Sequence, residues 1–135
     1  MLIENINTGN THVIKLEYGA DILKELEKEL ADAEILNGII VNCIGSVTSY
    51  HIHVVETDNL PPGNIYFKKE APFDVVNMQG FIFNGEVHAH VSFADAEDGS
   101  QFGGHLEEGC NVLTFCIITV METEEIGKLD TYTHS

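Results

Sequence analysis

Three histidines of this chain, His88, His90 and His105, have the spacing of ligands to a single metal ion. His88 and His90 alternate with apolar residues, so on a β-strand their side chains lie on one face, about 6.5–7 Å apart at Cα. A polar stretch that contains the turn signal Asp98-Gly99 can return His105 to their side. Three imidazoles with an open fourth position suit zinc or another divalent cation. The spacing therefore predicts a metal site at these three histidines.

The residues just before the third histidine favour this convergence. Gly103 and Gly104 remove two side chains next to His105, so another strand can approach the backbone closely there. An alternative stays open, in which the histidines form a hydrogen-bonded polar cluster at a subunit interface. A second H-x-H pair, His51 and His53, is interpreted as two imidazoles on a solvated strand face.

Acidic residues flank the predicted site on both sides in the sequence. Each could be a fourth ligand, a partner to an imidazole N–H or a general base, although singly each is more simply a solvated loop charge. They are Glu86, Asp95, Glu97, Asp98, Glu107 and Glu108. The sequence has no G-x-S-x-G motif, no G-x-G-x-x-G motif and no glycine-rich phosphate loop. No catalytic residue is therefore assigned.

The elements that must position these residues are one helix and several strands. Asp21 is a candidate N-cap, and apolar residues recur at helical spacing from Ile22 to Leu30. A stretch at 112–120 is nearly apolar on both faces, which is typical of a central strand or of one packed against another subunit. Further strands are predicted at residues 11–17, 39–44, 47–56, 73–83 and 86–93. We predict an α+β fold with a mostly antiparallel sheet, forming one domain over residues 1–135 with a polar tail from about residue 122.

Charge limits the classes of partner. The 135 residues include 22 acids and six bases, all of them lysines, for a formal net charge of -16. Binding to nucleic acid or to an anionic membrane depends on clustered Lys or Arg, so neither is expected. The absence of arginine also weakens the case for an enzyme that holds a substrate carboxylate with two hydrogen bonds from one guanidinium group. No apolar run approaches the ~20 residues of a membrane span, and the first residues lack a signal-peptide pattern, so we expect a cytoplasmic protein.

The cysteines fit the same compartment. Cys43, Cys110 and Cys116 are odd in number, form no C-x-x-C motif and include two within or beside apolar strands. We interpret them as buried reduced thiols, with a disulfide or a thiolate–metal site as the less favoured alternative.

Three segments resemble the core signature of the plant and prokaryote conserved (PPC) domain family. They are Gly80–Phe83, Val87–Ser92 and Asp98–Gly109, of which G-G-H-L-x-x-G in the last is the most specific. The helix, residues 44–47 and Tyr66 also follow the family's order, so the resemblance covers most of the chain. It implies one main helix against a strongly bent antiparallel sheet, and a homotrimer in which long central strands of neighbouring subunits pack together.

The resemblance has implications for function as well. Plant members carry a basic AT-hook before the domain and act in DNA-associated regulation, whereas this chain has no such segment. The PPC fold also resembles acetolactate decarboxylase and a zinc-containing ester-hydrolase-like group, which hold zinc with an H-x-H pair and a later histidine. That similarity strengthens the prediction of zinc at His88, His90 and His105. The family often has an acid where this chain has Cys116, so any role of that acid is absent here.

These observations predict a stand-alone, homotrimeric PPC-type protein that binds zinc or another divalent metal. Its role would be ligand sensing or interaction with a protein or small-molecule partner, and the prediction leans away from an enzyme. One alternative is a zinc-dependent enzyme on a small carbonyl or ester compound, with Glu108 as base and Lys68 or Lys69 binding a substrate carboxylate. The other is a DNA-associated regulator that acts through a basic partner protein.

Overall fold

The computed structural model describes residues 1–130. In this range the chain forms six strands, one α-helix and a short 3-10 helix. In chain order these are β1 (Thr8–Leu16), α1 (Ile22–Asp32), β2 (Gly38–Val55), β3 (Asn64–Phe83), β4 (Glu86–Asp95), β5 (Gln101–Leu106), β6 (Val112–Thr123) and the 3-10 helix Gly127–Asp130.

The strands form one sheet in the order β1-β6-β2-β3-β4-β5, and every named pairing in it is antiparallel. β5 also pairs with β2, so β2, β3, β4 and β5 form a closed circuit of paired strands. Irregular register in β2 and β3 bends the long strands. The predicted α+β fold, with a mostly antiparallel sheet and one principal helix, is confirmed.

Helix α1 begins where its capping residue predicts. The Oδ1 atom of Asp21 accepts a hydrogen bond from the backbone N–H of Lys24 at 3.2 Å, which satisfies one of the free donors of the first turn. The Oδ2 atom of Asp21 accepts the N–H of Gly109 at 2.7 Å and ties the helix to the segment that follows β5. The apolar face of the helix, represented by Leu26 and Leu30, is fully buried in the core.

Two strands are longer than the sequence pattern predicts. Residues 39–44 and 47–56, predicted as separate strands, belong to the single strand β2, which continues through Gly45. A Cβ atom on Gly45 would lie 1.9 Å from the carbonyl oxygen of Phe115, so the close approach of β6 requires glycine there. β3 begins at Asn64 rather than at residue 73, because residues 64–70, which are exposed, pair with the second half of β2.

Strand β6 lies between β1 and β2, which confirms that it is central. Cys116, Ile118 and Val120 are buried on its inner face, whereas the alternate residues are partly exposed on the outer face. Packing continues beyond residue 122, where the polar tail was predicted, because β6 runs to Thr123 and Ile126 is buried. Residues 131–135 of that tail lie outside the described part of the chain.

All three cysteines are buried and free, as predicted. Burial raises the pKa of the Cys110 thiol to about 12. A hydrogen bond with Cys116, together with burial, also raises the pKa of Cys43 well above its ordinary value. The same hydrogen bond with Cys43 lowers the pKa of Cys116. Cys43 and Cys110 are thus held in the protonated form, in which a thiol is a poor metal ligand. No helix within residues 1–130 is both long enough and apolar enough to cross a membrane.

Candidate metal centre

The register of three strands places histidines in one row across the sheet. His105 on β5 lies directly opposite His90 on β4 and, on its other side, directly opposite His53 on β2. His88 lies two residues before His90 on β4 and therefore projects from the same face. The local pairing of β5 with β4 and its non-local pairing with β2 thus bring four imidazoles together.

The three predicted ligands converge. The ring centroids of His88 and His105 are 4.7 Å apart, those of His90 and His105 are 5.7 Å apart, and those of His88 and His90 are 6.0 Å apart. One ring nitrogen from each lies within 4.8 Å of one ring nitrogen of the others. The structure therefore brings together the donor set that the sequence predicts, and metal binding by that set stays a prediction.

Buried neighbours fix the direction in which these side chains point. Ala89 and Val91 are buried in the core, so the alternation of the strand turns the intervening histidines outward. A Cβ atom on Gly103 would lie 2.2 Å from the carbonyl oxygen of Val91, and one on Gly104 would lie 2.7 Å from that of His53. The two glycines thus allow β5 to approach both neighbouring strands, as expected from the sequence.

The interpretation of the second H-x-H pair is wrong for His53. Its ring stacks on the ring of His105 with centroids 4.2 Å apart and an angle of 24° between the planes. Its Nδ1 atom is in direct contact with Oε1 of Glu107, and both side chains are half-buried. His51 lies outside the cluster, and its Nδ1 atom lies 2.7 Å from the carbonyl oxygen of Glu108, at hydrogen-bond distance.

The acids near the site, to which the sequence assigns the same possible roles, have different partners in the structure. Glu107 reaches the cluster through His53, whereas the carboxylate of Glu108 lies 3.6 Å from the ammonium of Lys24. The loop acids bind their own turn, since the carboxylates of Asp95 and Asp98 accept backbone N–H groups two residues further along. These two acids therefore organise the turn before β5.

An acid that the sequence did not indicate also touches the cluster. Oδ1 of Asp130, in the 3-10 helix, lies 3.4 Å from Nδ1 of His88. Asp130 is 42 positions away from His88 in the sequence, so no local pattern indicates that the two residues are in contact.

Two of the imidazoles are held in the neutral form. Burial, followed by the neighbouring His53 and His88, lowers the pKa of His105 to about 4. Burial also lowers the pKa of His90, with further contributions from His88 and His53. Neutral imidazole is the form that donates a lone pair to a metal ion, so this electrostatic environment suits coordination at neutral pH.

An open cleft of about 450 Å³ adjoins the cluster on the outer face of the sheet. Its walls are largely apolar and include Ile39 and Phe81, while His88, His90 and Gln79 supply the polar groups. A molecule in this cleft would lie against two of the predicted ligands. Lys68 and Lys69 pair with His51 and Tyr50 further along β2 and do not line the cleft.

Comparisons with known proteins identify the family and the fold. Residues 4–124 match the Plants and Prokaryotes Conserved (PCC) domain. Among curated proteins, the chain is 26% identical over 121 residues to the bifunctional protein GlmU of Synechococcus sp. strain JA-3-3Ab. That match covers 87% of this chain and 18% of the relative, so the chain spans less than a fifth of that protein's length.

Solved structures with the same fold include a plant- and prokaryote-conserved (PPC) protein from Pyrococcus horikoshii, with a TM-score of 0.77 and 25% identity over 93% of this chain and 87% of the other. A metal-containing protein from Archaeoglobus fulgidus has a TM-score of 0.77 and 22% identity, with the same coverage of both chains. Acetolactate decarboxylase from Bacillus subtilis is more distant, with a TM-score of 0.55 and 17% identity over 96% of this chain and 62% of the other. The resemblance to the decarboxylase fold is thus confirmed, at the level of fold alone.

Proposed function

Because this chain belongs to the Plants and Prokaryotes Conserved (PCC) domain family, we propose that it is a cytoplasmic, homotrimeric metal-binding protein in which His88, His90 and His105 hold a zinc ion. Its role is to sense a small ligand or to present the site to a partner. The observation that carries the proposal is the convergence of three imidazoles whose donor nitrogens lie within 4.8 Å of one another.

The donor set fits zinc. Four-coordinate zinc binds imidazole nitrogens at about 2.0–2.1 Å, so ligands around it lie roughly 3.3 Å apart. The three nitrogens now lie within 4.8 Å of one another, so they would have to move closer together to reach that spacing. The 22 acids of the chain further favour retention of a divalent cation. A protein of the same fold, from Archaeoglobus fulgidus, is described as metal-containing, which supports the proposal by analogy.

The surroundings of the site suit binding of a small molecule. Zinc held by three histidines supplies an open position at which an oxygen atom of a ligand can bind. The cleft beside His88 and His90 has the apolar walls of Ile39 and Phe81 for the remainder of such a ligand. Gln79, directly opposite His90 on β3, places an amide at the same position to orient it.

The outer face of the sheet supports the homotrimer. Ile44 on β2 lies directly opposite Ile117 on β6, and Val13 on β1 continues the same face. Ile44 is 56% exposed and Val13 is 69% exposed in the single chain. Neighbouring exposed apolar residues on a sheet face are typical of a subunit interface.

Elemental analysis of the purified protein after dialysis against zinc tests the metal site. We expect about one zinc per chain in the wild type and a loss in the variant His105→Ala, since this change leaves only His88 and His90 of the set, and two imidazoles retain an ion poorly. The matched control is His12→Ala, because His12 pairs with Glu122 outside the cluster. Equal zinc content in both variants would show that the cluster does not hold the ion.

The open cleft also favours a second candidate, a zinc-dependent enzyme on a small carbonyl or ester compound. Two observations weigh against it, because Glu108 faces Lys24 instead of the cluster, and Lys68 and Lys69 lie away from the cleft. Turnover of acetolactate-like or ester substrates that is lost in His90→Ala would establish this function.

The net charge of -16 gives no support to direct DNA binding, and salt-dependent retention on DNA would reverse that conclusion.

A further inference from the structure

A second set of metal donors lies on the β2 side of the cluster. We call it the inner set because its side chains are less exposed than that of His88. Donor atoms of His53, His105 and Glu107 also lie within 4.8 Å of one another, and all three residues are half-buried. The two sets share His105, which stands between β4 and β2. His53 and Glu107 come from β2 and the residue after β5, so they are supplied by other segments than His88 and His90.

The chemistry of the second set matches zinc as well as that of the first. Two imidazoles and one carboxylate form a zinc-binding set that leaves a fourth position open, as three imidazoles do. The inner set is also better enclosed. The side chains of His53 and Glu107 are 17% and 26% exposed, against 49% for His88. Lower exposure reduces the competition of water for the ligands and strengthens their attraction for a cation.

We propose that His53, His105 and Glu107 form a second, inner metal position that overlaps the outer position at His88, His90 and His105. The proposal rests on the proposed function in one respect, that His105 is a ligand. A neutral imidazole has one nitrogen free to bind a cation while the other carries a proton. The two positions are therefore alternatives for a single ion, and His105 is the ligand common to both.

The contact between His53 and Glu107 is compatible with an ion at the inner position. Their Nδ1 and Oε1 atoms now share a hydrogen bond in direct contact. Zinc would take the place of the proton between them, the neutral imidazole would carry its proton on Nε2 instead, and the two atoms would separate to about 3.3 Å. Neither residue pairs with a lysine among the contacts of residues 1–130, so this opening breaks no ion pair with a basic side chain.

Zinc content of a variant without the outer ligands tests the inner position. We expect His88→Ala/His90→Ala, loaded with zinc and passed through a desalting column, to retain about one zinc per chain. Its affinity for zinc should be lower than that of the wild type, because one of the two alternative positions is lost. Adding Glu107→Gln should remove the ion, whereas adding Glu108→Gln should not, because Glu108 pairs with Lys24. Circular dichroism on each variant checks that it is folded.

Cobalt(II) gives a second readout, since its visible absorption depends on its ligands. The cobalt spectrum of His88→Ala/His90→Ala should differ from that of the wild type and be lost with Glu107→Gln. If the double variant is folded and binds no zinc while the wild type binds one, the inner position is wrong and the outer site stands. Two zinc ions per wild-type chain would overturn the mutual exclusion, and none in the wild type would overturn the proposed function itself.

Discussion

His105 is the residue on which the site depends, because within residues 1–130 it is the histidine that lies opposite a histidine on each neighbouring strand. Its ring lies 4.7 Å from that of His88 and 4.2 Å from that of His53, centroid to centroid. The pairing of His88 with His90 follows from the sequence, since alternation along a strand is local. The approach of His53 does not, because it depends on β5 pairing with β2 across a separation that no local pattern encodes.

The lowered pKa of His105 predicts how the metal-free protein responds to acid. The folded chain holds this imidazole neutral with a pKa of about 4, below the ordinary value of 6.5. Between these values the unfolded chain binds more protons, so the stability of the metal-free protein should fall as the pH drops below about 6.5. Urea unfolding in the presence of a chelator at about pH 7 and pH 5 measures this effect.

The comparison that isolates His105 is with the variant His105→Gln, which lacks the titrating group. The many carboxylates titrate in both proteins, so the difference between the two pH dependences reports the imidazole. We expect the wild type to lose more stability than the variant between the two pH values. Equal losses in both would contradict the assigned environment of His105.

At the level of secondary structure, the site depends on how closely β5 approaches its neighbours. The helix could be predicted within a residue or two, because Asp21 and the apolar spacing are local signals. The strands were harder, since β2 passes without a break through Gly45, which the sequence marks as a boundary. Residues 64–70 of β3 lack the apolar alternation by which strands are identified, although each of them pairs with a residue of β2.

Replacement of Gly103 tests the requirement for close approach. A Cβ atom there would meet the Val91 carbonyl oxygen at 2.2 Å, so Gly103→Ala must push β5 away from β4. We expect a loss of about 1–3 kcal/mol in the free energy of unfolding, with weaker zinc binding because His105 moves with the strand. Thermal unfolding and zinc titration measure the two effects.

Gly9→Ala is the matched control for that substitution. The atoms that a Cβ at Gly9 would meet belong to the flexible side chain of Glu122, which can move aside. This variant should keep both its stability and its zinc. If Gly103→Ala were as stable as Gly9→Ala, the close contact between β4 and β5 would not determine the position of His105.

The whole molecule presents an acidic surface together with one sheet face that the single chain leaves uncovered. Composition predicts the charge and, through it, the classes of ligand that are disfavoured. The apolar pattern of β6 indicated either a central strand or a subunit contact, and the structure shows the first. The partly exposed residues on its outer face support the second as well.

A charge placed on this face should dissociate the proposed trimer. Ile44→Asp puts a carboxylate opposite Ile117, where burial against another subunit would leave it without a partner. We expect light scattering to give the mass of a trimer for the wild type and of a monomer for the variant. Tyr18→Asp is the control, because Tyr18 is 75% exposed in the turn before α1. A trimeric Ile44→Asp variant would place the interface elsewhere.

Diffraction data collected at the zinc absorption edge, from crystals of the zinc-loaded protein, test the proposed function with a single measurement. The expected result is an anomalous peak about 2.0–2.1 Å from a ring nitrogen of each of His88, His90 and His105. A zinc-saturated crystal with no peak within coordination distance of these imidazoles would contradict the metal site and the function built on it.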